Sequence, residues 1–476
     1  MNRYLLLFIC FTSVIKGFSQ EVSIYIIGDA GKPKFPDPTL TYLKEITRVA
    51  TEKDVLIFLG DNIYPSGMPS KESPDRKEME KRLAASLDVM KAFKGKSYII
   101  PGNHDWDEGG KHGWETLGYM QDFVDEYLGD KGVFLPRNGC PGPLEINLSP
   151  TITLVIVDTQ YFLHPWDKPG EESDCLAKST TDALSQLDEI LKANKTKHVV
   201  VAAHHPLYSD GQHGGKYTFK QHLFPLTDVN RGLWIPLPVL GSIYPGFRSL
   251  LGSRQDITNP KYRLIRKTIM ESASQIDHLI WVNGHEHSLQ YIMRDSMHFI
   301  TSGSGSKSSI VIPGRYSEFA AAVHGFGKVT ISGESAQLTF YNGDNQSELF
   351  SEELYTKSVQ PVQSLVDFDF KDSTVFEPIS DRYANENEQY KYWLGDNYRE
   401  AWETPVEMSV FNIGKEHGGL EIVKLGGGNQ TKSLRLEAKD GRQYVLRSLD
   451  KYTEKLLPSG LYGTLAADVL QDQISA

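Results

Sequence analysis

Short apolar runs and longer amphipathic stretches alternate from residue 23 to about residue 302. The runs are brief and rich in Val and Ile, which is typical of buried strands. They occupy residues 23–27, 55–59, 97–100, 153–157, 199–203, 279–282 and 299–301. Between them, helical spacing places apolar residues on one face at Leu40, Leu43, Ile46 and Ala50, and again at Leu184, Leu187 and Leu191. Alternating strands and helices predict an α/β sheet core.

Residues 214–260 interrupt this alternation with a segment rich in Pro, Gly and aromatic residues. We expect an insertion over one end of the sheet, and loops of this length tend to be functional. Three interpretations stay open from the pattern. The insertion is a lid or substrate wall, a loop that touches a membrane, or an ordinary surface excursion.

The chain changes character after about residue 357, where Asp and Glu become frequent and short alternating segments follow. Residues 434–436 and 444–446 flank the turn-forming residues 439–442, which predicts a hairpin. We therefore expect a β-rich region over residues 358–476. Residues 461–474 have the pattern of an amphipathic helix without a terminating signal. We expect the natural chain to continue, with this region anchoring it at an outer membrane or joining it to another module.

The first twenty residues have the pattern of a signal peptide. Arg3 supplies the positive charge, residues 5–15 are apolar, and residues 17–20 form a plausible cleavage region. The apolar stretch is short for a transmembrane helix. A buried first element and a lipoprotein modified at Cys10 are the alternatives. A secreted or periplasmic protein is the expectation, with outer-membrane association as an extension of it.

Length, composition, net charge and cysteine content limit the classes of protein to which this chain could belong. The 476 residues predict two or three domains, and 39% hydrophobic with 23% charged residues is ordinary for a globular protein. A net charge of −11 argues against a nucleic-acid-binding surface. Removal of a signal peptide leaves Cys140 and Cys175, for which a disulfide is slightly favoured over two free thiols.

Five short motifs follow predicted strands, and all carry side chains that bind metals. Each motif alone is weak, because a Gly-Asp pair is usually a turn and a single His is usually structural. Their joint occurrence at strand ends favours a hydrolytic metal site. The motifs are Gly28-Asp29-Ala30-Gly31, Gly60-Asp61-Asn62-Ile63-Tyr64, Gly102-Asn103-His104-Asp105, Val201-Ala202-Ala203-His204 and Gly284-His285-Glu286-His287.

This set resembles the purple acid phosphatases, most closely the small tartrate-resistant type, within the calcineurin-like metallophosphoesterases. The resemblance covers about residues 23–305. The wider family begins with Asp-x-His, but position 31 here is Gly. The purple enzymes instead place a tyrosine three residues after the second aspartate, where Tyr64 stands relative to Asp61. The resemblance implies a four-layer α/β/β/α sandwich over residues 21–357.

The resemblance also assigns two metal ions to the motif residues. It implies Fe(III) bound by Asp29, Tyr64 and His287, a second ion bound by Asn103, His204 and His285, and Asp61 as the bridge. Phenolate and carboxylate oxygens suit a trivalent ion, whereas imidazoles and an amide suit Zn, Mn or Fe(II). The implied reaction is hydrolysis of phosphate monoesters by a metal-bound hydroxide.

Two further histidines are implied to serve the leaving group. His104 follows the ligand Asn103, and His213 lies nine residues after His204, where the small purple phosphatases carry a substrate histidine. A plain loop histidine is the alternative for His213. Asp105 and His205 are expected to orient ligands. A phosphodiesterase or nucleotide hydrolase on the same metals, and a non-catalytic surface or assembly protein, are the alternative functions.

Overall fold

The computed structural model describes residues 21–227, 232–356, 374–377, 401–402, 404–409, 411, 413–427 and 432–447. The chain divides into two compact units, Met1–Pro361 and Val362–Ala476. The predicted boundary between residues 357 and 358, the predicted signal peptide and the predicted helix at 461–474 lie outside the described residues.

Two mixed sheets form the centre of the first unit. One has six strands in the order β13-β12-β11-β1-β2-β3, and the other has seven in the order β10-β8-β9-β7-β6-β5-β4. The strands are β1 (Val22–Ile27), β2 (Val55–Phe58), β3 (Lys96–Ile99), β4 (Leu144–Ser149), β5 (Ile152–Ile156), β6 (His198–Ala202), β7 (Ile280–Asn283), β8 (Leu289–Arg294), β9 (Met297–Ser302), β10 (Ser317–Ala321), β11 (Gly325–Ser332), β12 (Ser335–Asn342) and β13 (Ser347–Thr356). All seven predicted apolar runs are strands.

Helices fill the connections between these strands. They are α1 (Pro38–Ile46), α2 (Arg76–Ala92), α3 (Gly113–Leu128), α4 (Thr159–Leu163), α5 (Thr180–Ala193), α6 (Phe219–Leu223), α7 (Ile243–Leu250) and α8 (Pro260–Ala273). Both predicted helices are present as α1 and α5. The first is shorter than expected, because α1 ends at Ile46 and Ala50 lies beyond a short 3-10 turn, although Ala50 is still buried.

Side chains of β1 alternate between two hydrophobic layers, as a strand covered on both faces requires. Ile24 and Ile26 belong to the core that both sheets share. Tyr25 and Ile27 face the helical side, where the ring of Tyr25 meets Phe93 at the end of α2 edge-on, with centroids 5.9 Å apart. On the other sheet, Leu187 of α5 belongs to the outer layer. This confirms the expected α/β fold with helices outside two packed sheets.

The second unit is β-rich, as predicted. It contains a two-stranded sheet of β14 (Thr374–Glu377) and β15 (Val406–Ser409), and an antiparallel sheet of β16 (Leu420–Gly427), β17 (Lys432–Ala438) and β18 (Gln443–Arg447). The predicted hairpin is the β17–β18 pair, with Gly441 at a positive φ of 81° in its turn. Leu420, Leu436 and Ala438 form its small core.

Two other predictions from the sequence, a disulfide and an insertion, can be compared with the structure. Cys140 and Cys175 form a disulfide, with their Cα atoms 5.5 Å apart. The segment 214–260 lies in the connection between the paired strands β6 and β7 and contains α6 and α7. Among the described residues, no helix has the length and apolar character needed to cross a membrane.

Candidate metal centre

The five motifs lie at the carboxyl ends of parallel strands. Strands β1 and β2 are parallel in one sheet, and β6 and β7 are parallel in the other, so the ends of each pair share an edge. In each motif, the first residue whose side chain could bind a metal lies a few positions after the end of a strand. These residues are Asp29 after β1, Asp61 after β2, Asn103 after β3, His204 after β6 and His285 after β7.

Three of these residues have backbone conformations that side chains rarely adopt. Asp29, Asp61 and His285 have φ angles of 57°, 53° and 68°. Such conformations cost of order 1 kcal/mol or more each and persist only where surrounding contacts impose them. Gly28 permits the close approach of two of the loops, because a Cβ there would lie 2.9 Å from the Cα of Gly284. The strain turns the side chains toward a common point.

One group of donors surrounds the phenol of Tyr64. Its hydroxyl lies 2.8 Å from Asp29 Oδ1, 3.0 Å from Asp61 Oδ2 and 3.1 Å from His287 Nε2. His287 Nε2 is in turn 3.4 Å from Asp29 Oδ1. This half of the cluster is rich in oxygen.

A second group surrounds the amide oxygen of Asn103. This oxygen lies 2.9 Å from His285 Nδ1 and 3.1 Å from His204 Nε2. His204 Nε2 lies 3.4 Å from Asp61 Oδ1, the other oxygen of the same carboxylate that contacts Tyr64. The Asp61 carboxylate therefore stands between the two groups, with one oxygen toward each. Ligand atoms of Asp29, Asp61 and His204 all lie within 4.8 Å of one another.

Backbone carbonyls determine which ring nitrogen of two histidines is free to bind a cation. A carbonyl only accepts, so the nitrogen facing it must carry the proton. His204 Nδ1 donates to the carbonyl of Leu59 at 2.7 Å, which directs Nε2 toward the cluster. His285 Nε2 donates to the carbonyl of Gln255 at 3.0 Å, which leaves Nδ1 unprotonated toward Asn103. Both rings are oriented as ligands.

Burial dominates the electrostatics of the cluster. It raises the pKa of Asp29, with the neighbouring Asp61 charge adding to the effect. Burial also opposes ionisation of Asp61, but the charges of His204 and His104 outweigh it and hold the pKa of Asp61 below its usual range. Burial, followed by the charges of Asp29 and Asp61, places the pKa of Tyr64 well above its usual value. The phenol therefore keeps its proton as long as no cation offsets these two carboxylates.

Burial favours the neutral form of two histidines of the cluster, which is the form that binds metals. Burial lowers the pKa of His285 well below its usual value and that of His287 to about 4. The donor set thus combines two carboxylates, a phenol, an amide and three imidazoles. Cations fit this set, because positive charge would compensate the carboxylates and supply the partners that the nitrogen lone pairs lack.

Asp105 and His205 lie around the cluster rather than in it. The Asp105 carboxylate accepts hydrogen bonds from the backbone N–H groups of Asn62 and Gly102, at 3.0 and 2.8 Å, and so ties the second motif to the third. Burial raises the pKa of this carboxyl to about 8. His205 bonds Thr159 through Nδ1 and Gln255 through Nε2, each at 2.7 Å. Both ring nitrogens of His205 are therefore engaged away from the donors.

His104 and His213 both border the cluster and are partly exposed. The His104 ring lies 4.4 Å from the Tyr64 ring between centroids, and its backbone N–H donates to Asp61 Oδ1 at 2.9 Å. The His213 ring lies 4.0 Å from the His285 ring between centroids. The structure thus brings together all nine residues that the sequence singled out.

Three residues near the cluster were missed by the sequence analysis because they belong to the insertion. Asp256 Oδ1 accepts from His213 Nδ1 at 2.8 Å, and Arg248 Nε donates to Asp256 Oδ2 at 2.8 Å. Gln255 contacts both His205 and His285. No spacing signal marks them, because their proximity depends on how residues 214–260 fold back onto the sheet edge.

Lys307 and Glu286 were also missed, although both adjoin motifs. Lys307 Nζ lies 3.1 Å from the centroid of the Tyr64 ring, just after the Gly303–Ser306 turn. Glu286 stands between His285 and His287 and accepts hydrogen bonds from the Ser209 hydroxyl, at 2.7 Å, and the His213 backbone N–H, at 3.0 Å. Its position within the last motif was the available signal.

A family model described as calcineurin-like phosphoesterase matches residues 22–234 of this chain. Purple acid phosphatase 17 of Arabidopsis thaliana is 20% identical over 338 residues, which cover 68% of this chain and 81% of the plant protein.

Two solved structures are also similar to this chain. One is GAP50, the anchor in the inner membrane complex of Plasmodium, with a TM-score of 0.43 and 16% identity, covering 72% of this chain and 90% of the other. The second is purple acid phosphatase PPD1 from yellow lupin (Lupinus luteus) seeds, with a TM-score of 0.43 and 14% identity, covering 73% of this chain and 57% of the other.

Proposed function

We propose that this chain, which is similar to the calcineurin-like phosphoesterases and the purple acid phosphatases, hydrolyses phosphate monoesters at a dinuclear metal centre. The position of Asp61 carries the proposal. One of its oxygens lies 3.0 Å from the Tyr64 hydroxyl and the other 3.4 Å from His204 Nε2. A carboxylate placed between an oxygen-rich and a nitrogen-rich group is suited to bridge two cations.

The residues divide into two ligand sets. Asp29, Tyr64 and His287 would hold one cation, for which we propose Fe(III) because phenolate and carboxylate are hard anionic donors. Asn103, His204 and His285 would hold a divalent ion such as Zn, Mn or Fe(II). Bound there, the ions would supply an acidic water and positive charge for the phosphate oxygens.

His213 is placed to donate a proton to the leaving group. The Asp256 carboxylate accepts from its Nδ1 at 2.8 Å, which fixes the ring, and a proton held at Nε2 would be available to the leaving group. Arg248 on the far side of Asp256 keeps this carboxylate charged. His104 borders the other half of the cluster, where its ring packs against Tyr64. Together they could serve leaving groups that approach from either half.

We also propose that the chain works in an exported compartment. The Cys140–Cys175 disulfide supports this, because such bonds persist in oxidising environments. The predicted signal peptide agrees with it.

A diesterase or nucleotide hydrolase is the second candidate. The insertion favours it, because Gln255 lies against His285 and the neighbouring Asp256 holds His213. These residues wall the site where a second ester substituent would lie.

Hydrolysis of p-nitrophenyl phosphate and of its bis ester by purified, metal-loaded protein would test the proposal. We expect the monoester to be cleaved with the higher kcat/KM, and Asp61→Asn to abolish cleavage. Asp54→Asn is the matched control, since Asp54 is buried but bonds Ser23 at the opposite end of β1. Preferential cleavage of the bis ester would favour the diesterase. Loaded protein that is inactive on both, and on a wider panel of phosphate esters, would favour the non-catalytic assembly protein.

A further inference from the structure

The surface around α7 exposes an unusual set of large apolar side chains. Six of them, between 49% and 84% exposed, are Trp234, Val239, Leu240, Ile243, Phe247 and Leu250. Contiguous apolar surface on a soluble domain marks a binding site more often than an accident of folding. We call the surface formed by these six residues the α7 surface.

Helix α7 is amphipathic, but its apolar face is exposed and its charged side chain is buried. Ile243, Phe247 and Leu250 recur at helical spacing and are exposed, whereas Pro245 and Arg248 are buried. The only charged side chain of α7 therefore points into the protein, and the apolar face points outward. A core helix would have the opposite arrangement.

The distribution of charge around this surface indicates what covers it. Residues 232–255 contain no acidic residue, and Arg248 is engaged by Asp256. Exposed cations stand on both flanks, at Lys220, whose Nζ lies 4.2 Å from the Trp234 ring centroid, and at Arg254. Apolar side chains and an interfacial tryptophan with flanking cations complement a bilayer that has anionic headgroups.

Hydrogen bonds connect α7 to residues that border the candidate metal centre. Arg248 Nη2 lies 3.1 Å from His213 Nδ1, and its Nη1 lies 3.4 Å from the Tyr244 hydroxyl on α7. The Ser249 hydroxyl donates to the carbonyl of Gly215 at 2.7 Å, two residues after His213. The helix that presents the apolar face is therefore the same one that contacts the candidate proton donor.

We propose that the α7 surface docks on an anionic lipid bilayer. Docking would place the centre beside phosphate esters carried at the bilayer surface, a consequence that rests on the proposed hydrolase function. Docking itself does not depend on that function, because it requires no metal ion and no reaction.

Flotation of the whole chain with lipid vesicles tests the docking. We expect the protein to float with phosphatidylcholine vesicles that contain phosphatidylglycerol, and less with pure phosphatidylcholine. The triple variant Ile243→Ser, Phe247→Ser, Leu250→Ser should have a vesicle partition coefficient lower by a factor of about ten or more, given the transfer free energy of side chains of this size. Val49→Ser combined with Leu176→Ser removes two apolar residues elsewhere that are more exposed than these three, and this variant should float like the wild type.

Tryptophan quenching by brominated lipids gives a second, independent measurement. Trp234→Phe should remove most of the quenching, whereas Trp166→Phe, which changes another exposed tryptophan, should not. Failure of the wild type to float, equal flotation of the triple variant, or quenching that persists in Trp234→Phe would overturn the proposal. So would a dimer in sedimentation that the triple variant abolishes, since a second copy would then cover the surface.

A hydrolysis assay separates docking from catalysis. Phosphatidate in vesicles should be cleaved at least several-fold more slowly by the triple variant, while cleavage of p-nitrophenyl phosphate stays unchanged. Vesicle binding without cleavage of either compound would sustain the docking and contradict the hydrolase. Cleavage of p-nitrophenyl phosphate without vesicle binding would do the reverse.

Discussion

Each oxygen of the Asp61 carboxylate has its own neighbours, and this division organises the whole cluster. Oδ2 faces the Tyr64 phenol, and Oδ1 faces His204. The roles of single residues follow from such contacts more than from residue type, since Asp105 is as buried as Asp61 but bonds backbone N–H groups instead.

Lys307 is expected to bind the substrate phosphate. Its ammonium lies over the Tyr64 ring beside the cluster, where a dianionic phosphate would approach. Lys307→Met should raise KM, and the inhibition constant of inorganic phosphate, by roughly tenfold with little change in kcat, as expected for one charge-assisted hydrogen bond. Lys307→Arg should retain most of the affinity, and Lys32→Met, at an exposed position nearby, should match the wild type. Unchanged phosphate inhibition in Lys307→Met would contradict this role.

His213 is expected to protonate the leaving group. His213→Asn should lower kcat by about a hundredfold for an alkyl phosphate, whose alkoxide needs a proton. The loss should be much smaller for p-nitrophenyl phosphate, whose phenolate leaves without one. The two substrates measured side by side provide the test, and equal losses on both would assign His213 to substrate binding instead.

At the scale of elements, the insertion around α7 is held to the sheet edge by a buried ion pair. The Arg248 guanidinium and the Asp256 carboxylate are almost fully buried and joined by two hydrogen bonds. Burial opposes ionisation of Asp256, but the Arg248 and His213 partners prevail and hold the pKa of Asp256 below its usual range. The loop geometry therefore depends on one carboxylate.

Removing that charge should destabilise the protein. Asp256→Asn leaves the Arg248 guanidinium buried without its counter-ion, and we expect the free energy of unfolding in urea to fall by about 3 kcal/mol. Glu271→Gln is the control, because it breaks an exposed ion pair with Lys267 and should change the stability by less than about 0.5 kcal/mol. A loss in Asp256→Asn no larger than in the control would show that the pair does not hold the insertion.

Asp158 caps the amino end of α4 and makes the stability of this region depend on pH. Burial raises the pKa of Asp158 to about 7, against hydrogen bonds from the Tyr161 N–H and the Trp106 indole. Because the pKa is raised in the folded state, the protonated Asp158 carboxyl contributes to the stability of the fold. This contribution is fully present below the ordinary pKa of 3.8 and is lost as the pH rises through about 7.

Asp158→Asn should remove this dependence because an amide does not ionise, although its single oxygen can accept only one of the two hydrogen bonds that the carboxylate accepts through Oδ1 and Oδ2. Relative to the wild type, the variant should gain about 1–3 kcal/mol in free energy of unfolding between pH 4 and pH 7.5. Urea titrations across this range measure the difference. Parallel stability curves for the two proteins would show that Asp158 ionises freely in the fold.

At the scale of the whole molecule, the sequence predicted what local patterns determine. Apolar runs such as residues 199–203 identify buried strands, because a strand covered on both faces needs no polar alternation. Motif residues at strand ends then fall on common edges, so Asp29, Asp61 and His204 could be grouped without coordinates. The second sheet was expected from the resemblance to the purple acid phosphatases, which Tyr64 supports, and not from the pattern of apolar residues.

Features that depend on distant contacts could not be predicted. Strand β11 pairs antiparallel with β1, with Val22 opposite Ile331, and β12 and β13 follow β11 in the sheet; no local signal gives that register. The contact of Asp256 with His213 likewise requires the path of the insertion. The inverted face of α7 is visible only once burial is known, because the sequence alone is equally compatible with a core helix.

The central claim is that one protein chain holds two cations with Asp61 between them. Metal analysis of purified wild type and Asp61→Ala, normalised to protein concentration, tests it most directly. We predict about two ions per chain in the wild type, including iron, and a loss of both in Asp61→Ala because each ligand set loses a charged donor. Two retained ions in Asp61→Ala, or a single ion in the wild type under saturating metal, would contradict the account.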